Sequence, residues 1–312
     1  RACGKVGVCL ATSGPGATNT VTGIATAYSD SIPMVIFTGQ VSTPLIGNDA
    51  FQEVDIIGIT RPCTKHNFLV KDVKDLAETV RKAFYLARSG RPGPVLVDIP
   101  KNIQQASCEF IWPEDVVMRS YCPTFRANLN QLRRAMDVLV TSRKPLIVAG
   151  GGVIMANAAE ELCTLAHLMH APVCSTLMGL GAFPGDDPLW IGMLGMHGTF
   201  AANRAVTQAD VILAVGARFD DRVTGKLSQF APNARIVHID IDPTTLRKNV
   251  RVEVPVVSDA LSALQGLRSI LESGHAQKDW AGDHADWMGQ VLEWQKEHPL
   301  SWAKGDVLKP QQ

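Results

Sequence analysis

The sequence has no excess of either charge: lysine plus arginine total 30, and so do aspartate plus glutamate. Nucleic acids and anionic membrane surfaces demand a basic excess or a basic patch, so neither is expected as the main partner. Charge of any sign is sparse, 19% of 312 residues against about 25% in ordinary soluble domains. With 46% hydrophobic residues, this is the composition of compact domains and excludes a disordered chain. No uninterrupted apolar run approaches the roughly 18 to 20 residues that cross a bilayer. Cysteine pairing is missing too. Cys3, Cys9, Cys63, Cys108, Cys122, Cys163 and Cys174 contain no CxxC, which speaks against a disulfide framework or a zinc site. They are expected as buried thiols of a reducing compartment, the cytoplasm.

Several nucleotide and nucleophile signatures are also absent. There is no GxGxxG, so a conventional hydride-transferring Rossmann domain is disfavoured. Gly225-Lys226 ends like a P-loop, but Leu227 stands where serine or threonine is required. No GxSxG elbow occurs. Neither internal repeats nor low-complexity tracts are present. No signal peptide or start methionine precedes Arg1, and Lys5 to Ala11 already reads as a strand, so the chain is expected to begin inside a domain.

What is present alternates strand and helix patterns, the mark of parallel α/β sheets, and the length fits about two domains. The first module is expected over residues 1–106, with strands at 5–11, 33–37 and 94–100. Its helices are expected over Ala17 to Tyr28 and after a capping box in which Asp75 accepts from the N–H of Glu78. Residues 107–125 carry Pro113 and Pro123 and read as a linker. A second module over 126–274 has expected strands at 145–149, 172–176, 209–215, 234–240 and 254–257, with helices at 156–169 and 199–207. Residues 275–312 read as a helix around 283–297 within a linker, with Trp280, Trp287, Trp294 and Trp302 as packing residues.

Candidate chemistry sits where strands end. Ser13-Gly14-Pro15-Gly16 is a strand-to-helix turn whose free N–H groups favour an anion, although any such turn needs glycine. Gly150-Gly151-Gly152 and Gly216-Ala217-Arg218 follow two further strands, and His238-Ile239-Asp240-Ile241-Asp242 ends a third in acids. In doubly wound sheets these ends form the ligand crevice, and glycine turns beside carboxylates suit a nucleotide. Arg218, Asp220, Asp221 and Arg222 form a compact charged run whose guanidinium forks suit carboxylate or phosphate. Cys163, His167 and His170 share a helical face, but no carboxylate lies on that stripe. They are expected to pack, and no metal site is expected.

Seven segments in order give these pieces a family likeness: ATSGPGATN (11–19), TGQV (38–41), IGNDAFQE (46–53), SGRPGPVLVDIPK (89–101), GGG (150–152), LGMHGT (194–199) and GARFDDRVTGK (216–226). Together they resemble the acetolactate synthase (acetohydroxyacid synthase) large catalytic subunit family, which depends on thiamine diphosphate. The resemblance covers essentially the whole chain. It implies two three-layer α/β domains with parallel sheets: a partial pyrimidine-binding domain and a Rossmann-like central domain holding a structural FAD.

The resemblance also assigns roles. Thr12, Pro15, Asn19 and Gln52 would lie along thiamine diphosphate, and Phe51 and Met196 would form an apolar wall of the substrate channel. Ser42, where proline is frequent, would stand on the channel rim. Arg91, Gly150, Gly151, Gly152, Thr176, Leu177, Met178, Leu194, Gly195, Met196, His197, Gly216, Ala217, Arg218, Asp220, Arg222, Val223, Asp240, Ile241 and Asp259 would line FAD. The implied reaction decarboxylates pyruvate and ligates the two-carbon unit to a second 2-oxo acid, pyruvate or 2-oxobutanoate. Gln52, Lys101 and Arg222 would serve it, Arg222 by pairing with the acceptor carboxylate and Lys101 by adding positive charge at the channel mouth. A homodimer or homotetramer with a small regulatory subunit is implied.

The family's proton-relay glutamate would precede Arg1. Its GDG motif for diphosphate and Mg²⁺ has no counterpart, since Gly185-Asp186, Gly282-Asp283 and Gly305-Asp306 are not followed by glycine, and Leu308 to Gln311 resembles the entry to a further domain. The chain as given is therefore expected to be a fragment that does not turn over. Two alternatives stay open: another thiamine-diphosphate carboligase, such as a glyoxylate carboligase or sulfoacetaldehyde acetyltransferase, or a non-catalytic nucleotide-binding or subunit-interaction module.

Overall fold

A computed structural model describes residues 3–274, 278–301 and 305–307. Arg1, Trp302 and the segment from Leu308 to Gln311 lie outside the described residues. The chain divides into two compact units, Arg1–Pro123 and Thr124–Gln312.

In the first unit, β1 (Gly7–Ala11) leads through a glycine turn into α1 (Pro15–Thr18) and then α2 (Val21–Ser29). The single helix expected from Ala17 is thus two pieces. Then come β2 (Met34–Gln40), α3 (Ile56–Thr60), β3 (His66–Leu69), α4 (Leu76–Arg88), β4 (Pro94–Pro100) and α5 (Lys101–Gln105). The four strands pair in parallel in the order β1-β2-β4-β3. Val35, Val95 and Val97 form the core on one face with Ala83, Leu86 and Ala87 of α4, while Ile36 and Leu96 meet Ala17, Ile24 and Ile56 on the other. This two-faced burial is why these strands read as unbroken apolar runs. The expected cap of α4 is corrected: Asp75 caps nothing, and the side chain of Asp72 instead accepts from the N–H of Lys74, opening a 3₁₀ turn over Val73–Asp75. Much of the expected linker belongs to this unit, because Met118 and Tyr121 pack on its core and the Tyr121 hydroxyl donates to the Ser89 carbonyl at 2.7 Å.

The second unit comprises α6 (Leu129–Val140), β5 (Pro145–Ala149), α7 (Gly151–Met155), α8 (Ala159–Met169), β6 (Val173–Ser175), β7 (Trp190–Met193) and α9 (Phe200–Gln208). It continues with β8 (Val211–Val215), α10 (Asp221–Thr224), β9 (Arg235–Asp240), β10 (Val254–Val257), α11 (Ala260–Glu272) and α12 (Trp280–Glu297). Its sheet is parallel, ordered β10-β9-β8-β5-β6-β7. The chain runs outward from β5 to β7, returns, and runs outward the other way from β8, so the topological switch lies between β5 and β8. Strand β7 was not expected from the sequence. It is four residues long, contains Gly192 at φ 96° and pairs with β6 across a register shift.

Two further expectations are corrected here. Residues 275–312 are not simply a linker, since α12 buries Trp280, Trp287, Met288, Val291 and Trp294 in both cores of this unit. The thiols are not all buried: Cys174 is, whereas Cys3, Cys108 and Cys122 are exposed. Among the described residues no helix is long and apolar enough to cross a membrane.

Candidate functional site

Parallel strands bring their carboxyl ends to one edge, and in the first unit most candidate residues gather there. The turn after β1 carries Thr12, Pro15 and Asn19, all exposed. The loop after β2 carries Ser42, Phe51 and Gln52, and the start of α5 after β4 carries Lys101. Close packing joins turn and loop: Gly14, at φ 58°, lies so near Gln52 that a Cβ would sit 2.6 Å from the Gln52 carbonyl oxygen. Gln52 is itself left-handed, at φ 59°, and Phe51 beside it is 88% exposed. A further tie links Ser42 to Lys101, because the side-chain oxygen of Asn102 accepts from the N–H of Thr43 at 2.9 Å.

Two carboxylates that were not singled out from the sequence hold this loop. Glu53 accepts from the backbone N–H groups of Gly47 and of Ala50 (3.0 Å), and these bonds hold its carboxyl below the usual carboxylate range. Asp98, buried at the end of β4, accepts from the Thr38 hydroxyl at 2.7 Å and the Gln40 amide at 3.0 Å. Burial raises it to about 6, against the pull of those two hydrogen bonds. Gln40 also donates to the Val54 carbonyl at 2.9 Å, so the buried Asp98 network anchors the far end of the Phe51-Gln52 loop. The side chains of Thr12, Asn19 and Gln52 have no hydrogen-bond partner among the described residues, which leaves a hydroxyl and two amides able to donate to and accept from a ligand.

The second unit builds its edge from glycine. A Cβ on Gly150 would lie 2.0 Å from the Gly216 carbonyl oxygen, and one on Gly152 would lie 2.7 Å from the Gly216 Cα. The two turns at the switch point thus touch backbone to backbone. Gly179 approaches the Ala149 carbonyl in the same way, which lays Thr176, Leu177 and Met178 over the end of β5; Met178 faces Gly151. Gly195, at φ 98°, rests on the Arg222 carbonyl, and the N–H of Met196 donates to that same oxygen at 2.9 Å. Asn203, also unforeseen, clasps Gly195 from both sides, accepting from its N–H and donating to its carbonyl. The Arg222 guanidinium reaches the Met196 sulfur at 3.9 Å and remains largely exposed beside Asp221.

Several expected flavin residues have duties within the fold. Leu194 and Ala217 point into the core, and only their backbones line the edge. Asp220 caps α10 and pairs with Arg218 at 3.5 Å, while Asp259 caps α11. Val223 packs against the second core, Asp240 accepts from the N–H of Asp242 with Ile241 between them, and His197 is exposed. Arg91 belongs to the first unit, where it donates to Ser31. Behind the edge, His238 is fully buried, donates from Nε2 to the Ala217 carbonyl at 2.7 Å and leaves Nδ1 without a partner. Burial lowers it to about 4, so it is a neutral strut under the Gly216 turn.

Family models agree with this division. The N-terminal TPP-binding domain of thiamine pyrophosphate enzymes matches residues 1–59, and the central domain of the same enzymes matches 132–267. The chain is 49% identical to the acetolactate synthase isozyme 3 large subunit of Escherichia coli over 316 aligned residues, covering 100% of this chain and 54% of that protein. It is 48% identical to a probable acetolactate synthase large subunit of Methanocaldococcus jannaschii, covering 100% and 52%. It is also 48% identical to the acetolactate synthase large subunit of Corynebacterium glutamicum, covering 99% and 49%. The chain spans about half the length of the curated relatives it matches. It belongs to the thiamine pyrophosphate enzymes, carries their N-terminal and central domains, and is a homologue of acetolactate synthase large subunits from end to end.

Proposed function

We propose that this chain works within an acetolactate synthase, joining the two-carbon unit of pyruvate to a second 2-oxo acid, pyruvate or 2-oxobutanoate. The observation that carries the reading is the Arg222–Met196 pair, held by one carbonyl at the edge of the second sheet. A small 2-oxo acid is an alkyl group beside a carboxylate, and an exposed guanidinium against a thioether is complementary to both.

Thiamine diphosphate, when bound, supplies the nucleophilic carbon for decarboxylation and carboligation. In this reading Thr12, Asn19 and Gln52 hold its aminopyrimidine, Pro15 packs beside it, and Phe51 limits the space for the alkyl group. Ser42 stands at the rim. Lys101 attracts the anionic substrate, and Arg222 orients the acceptor by its carboxylate.

FAD is a second proposal, supported by the donor set at the switch point. Backbone turns at Gly150 to Gly152 and Gly216 to Arg218, two arginines, and the exposed Leu177 and Met196 suit a pyrophosphate and an apolar ring system. No Mg²⁺ ligand is assigned to this chain: the one gathered set of three metal-ligating groups among the described residues mixes sulfur, nitrogen and oxygen, whereas Mg²⁺ takes oxygen ligands. The resemblance further supports an assembly of catalytic subunits, a dimer or tetramer, with a small regulatory subunit.

The test uses the full-length protein carrying this chain, assayed for acetolactate from pyruvate with thiamine diphosphate, Mg²⁺ and FAD supplied. Arg222→Ala should lower kcat/KM for the acceptor by about tenfold or more, the loss expected for a charge-assisted bond. An unchanged rate and acceptor preference would remove Arg222 from the site. Faster ligation of glyoxylate than of either 2-oxo acid would move the protein to another carboligase class.

A further inference from the structure

We propose that Cys163, His167 and Asp187 form a binding site for a zinc-class divalent transition metal on the second unit. Cys163 and His167 stand one helical turn apart on α8, and Asp187 comes from the turn that leads into β7. The carboxylate missing from the helical stripe in the sequence is thus delivered by a segment 20 residues away. His167 Nε2 and Asp187 Oδ2 are 2.8 Å apart, and one ligand atom from each of the three residues lies within 4.8 Å of the other two.

The donors are held by the fold. Helix α8 is fixed by Leu162, Leu165, Ala166 and Met169, all fully buried, and by the Glu161–Arg268 ion pair. The other oxygen of Asp187 accepts from the N–H of Leu189 at 2.9 Å, which aims the free oxygen at His167, the outer-shell support that carboxylate ligands need. Cys163 is half-buried, whereas the His167 side chain is 50% exposed, so a water has access as the fourth ligand.

A tetrahedral zinc site with bonds of about 2.0 to 2.3 Å separates its donors by roughly 3.3 to 3.7 Å, a spacing that side-chain rotation reaches from the observed one. A mixed set of sulfur, nitrogen and oxygen selects zinc-like ions over magnesium or calcium. A surface ion pair accounts for His167 and Asp187 but gives the thiol no part. On binding, the Cys163 S–H proton leaves to solvent as the sulfur–metal bond forms, and the imidazole proton moves from Nε2 to Nδ1 as Nε2 takes the metal. The bond would clamp α8 to the edge strand β7, whose pairing with β6 is irregular.

The experiment titrates Co²⁺ into the chelator-treated full chain. One Co²⁺ per chain with a thiolate-to-cobalt charge-transfer band, displaced by Zn²⁺ but not by Mg²⁺, is expected. Cys163→Ser should abolish the band, and both His167→Ala and Asp187→Asn should weaken binding by about tenfold or more. Zn²⁺ should raise the melting temperature of the parent chain and not that of Cys163→Ser. Absence of the band, or a band unchanged in Cys163→Ser and therefore owed to exposed thiols such as Cys108 or Cys122, would overturn the proposal.

Discussion

The two units shape the carboxyl edge of their sheets by opposite means. In the first, the Phe51-Gln52 loop is shaped by carboxylates, Glu53 taking backbone N–H groups and buried Asp98 anchoring Gln40. In the second, the turns at Gly150 and Gly216 are shaped by missing side chains, so that backbone lies on backbone. A carboxylate scaffold answers to protons, whereas a glycine scaffold answers to the first added methyl group.

The largest expected effect follows directly. Gly150→Ala drives a Cβ against the Gly216 carbonyl, where neither backbone can yield, and should cost the second unit about 3 kcal/mol or more. Gly289→Ala in the same unit, exposed within α12 with nothing near its Cβ, should instead add about 0.5 to 1 kcal/mol. Urea denaturation measures both, and a neutral Gly150→Ala would break the comparison.

The pH responses should run in opposite directions. Asp98 has a raised folded-state value, so its contribution is complete below the ordinary carboxylate range and is lost as pH rises through about 6, a change of about 3 kcal/mol. His238 has a lowered one, so its contribution is complete above about 6.5 and is lost as pH falls toward about 4, again by about 3 kcal/mol. Hydrogen exchange resolved by segment should therefore show the first unit tightening and the second loosening as pH drops from 7 to 5. Asp98→Asn should flatten only the first response. Parallel responses of the two units would contradict the assignment.

The smallest effect belongs to Glu53. Its carboxylate is exposed, so Glu53→Gln should loosen the Phe51-Gln52 loop and weaken thiamine diphosphate binding in the full-length protein only a few-fold. A titration followed by protein fluorescence reads this, and a complete loss would make Glu53 a ligand.

The same contrast explains what could be read in advance. Strands such as Val95 to Val97 and Val211 to Val215 are buried on both faces and announce themselves as apolar runs. So do the glycine turns, because a close approach of backbones leaves no other residue possible. Glu53, Asp98 and Asn203 are ordinary polar residues whose roles exist only once a loop has folded back, so nothing local marks them. Asp187 reaches His167 only because β6 and the turn before β7 carry it there. Strand β7 is interrupted by Gly192 and paired out of step, and the side-chain cap lies ahead of α4, on the 3₁₀ turn that Asp72 opens, so Asp75 makes no capping bond.

If the glycine-built edge of the second unit holds the proposed flavin, binding there should be independent of the carboxylate-built loop of the first. Titrating FAD into the purified full chain and following flavin fluorescence decides this. Saturable binding of one FAD per chain, weakened about tenfold by Arg218→Ala and untouched by Glu53→Gln, is the predicted result; a folded chain that never saturates with FAD, or one in which Glu53→Gln weakens binding as much as Arg218→Ala, would contradict it.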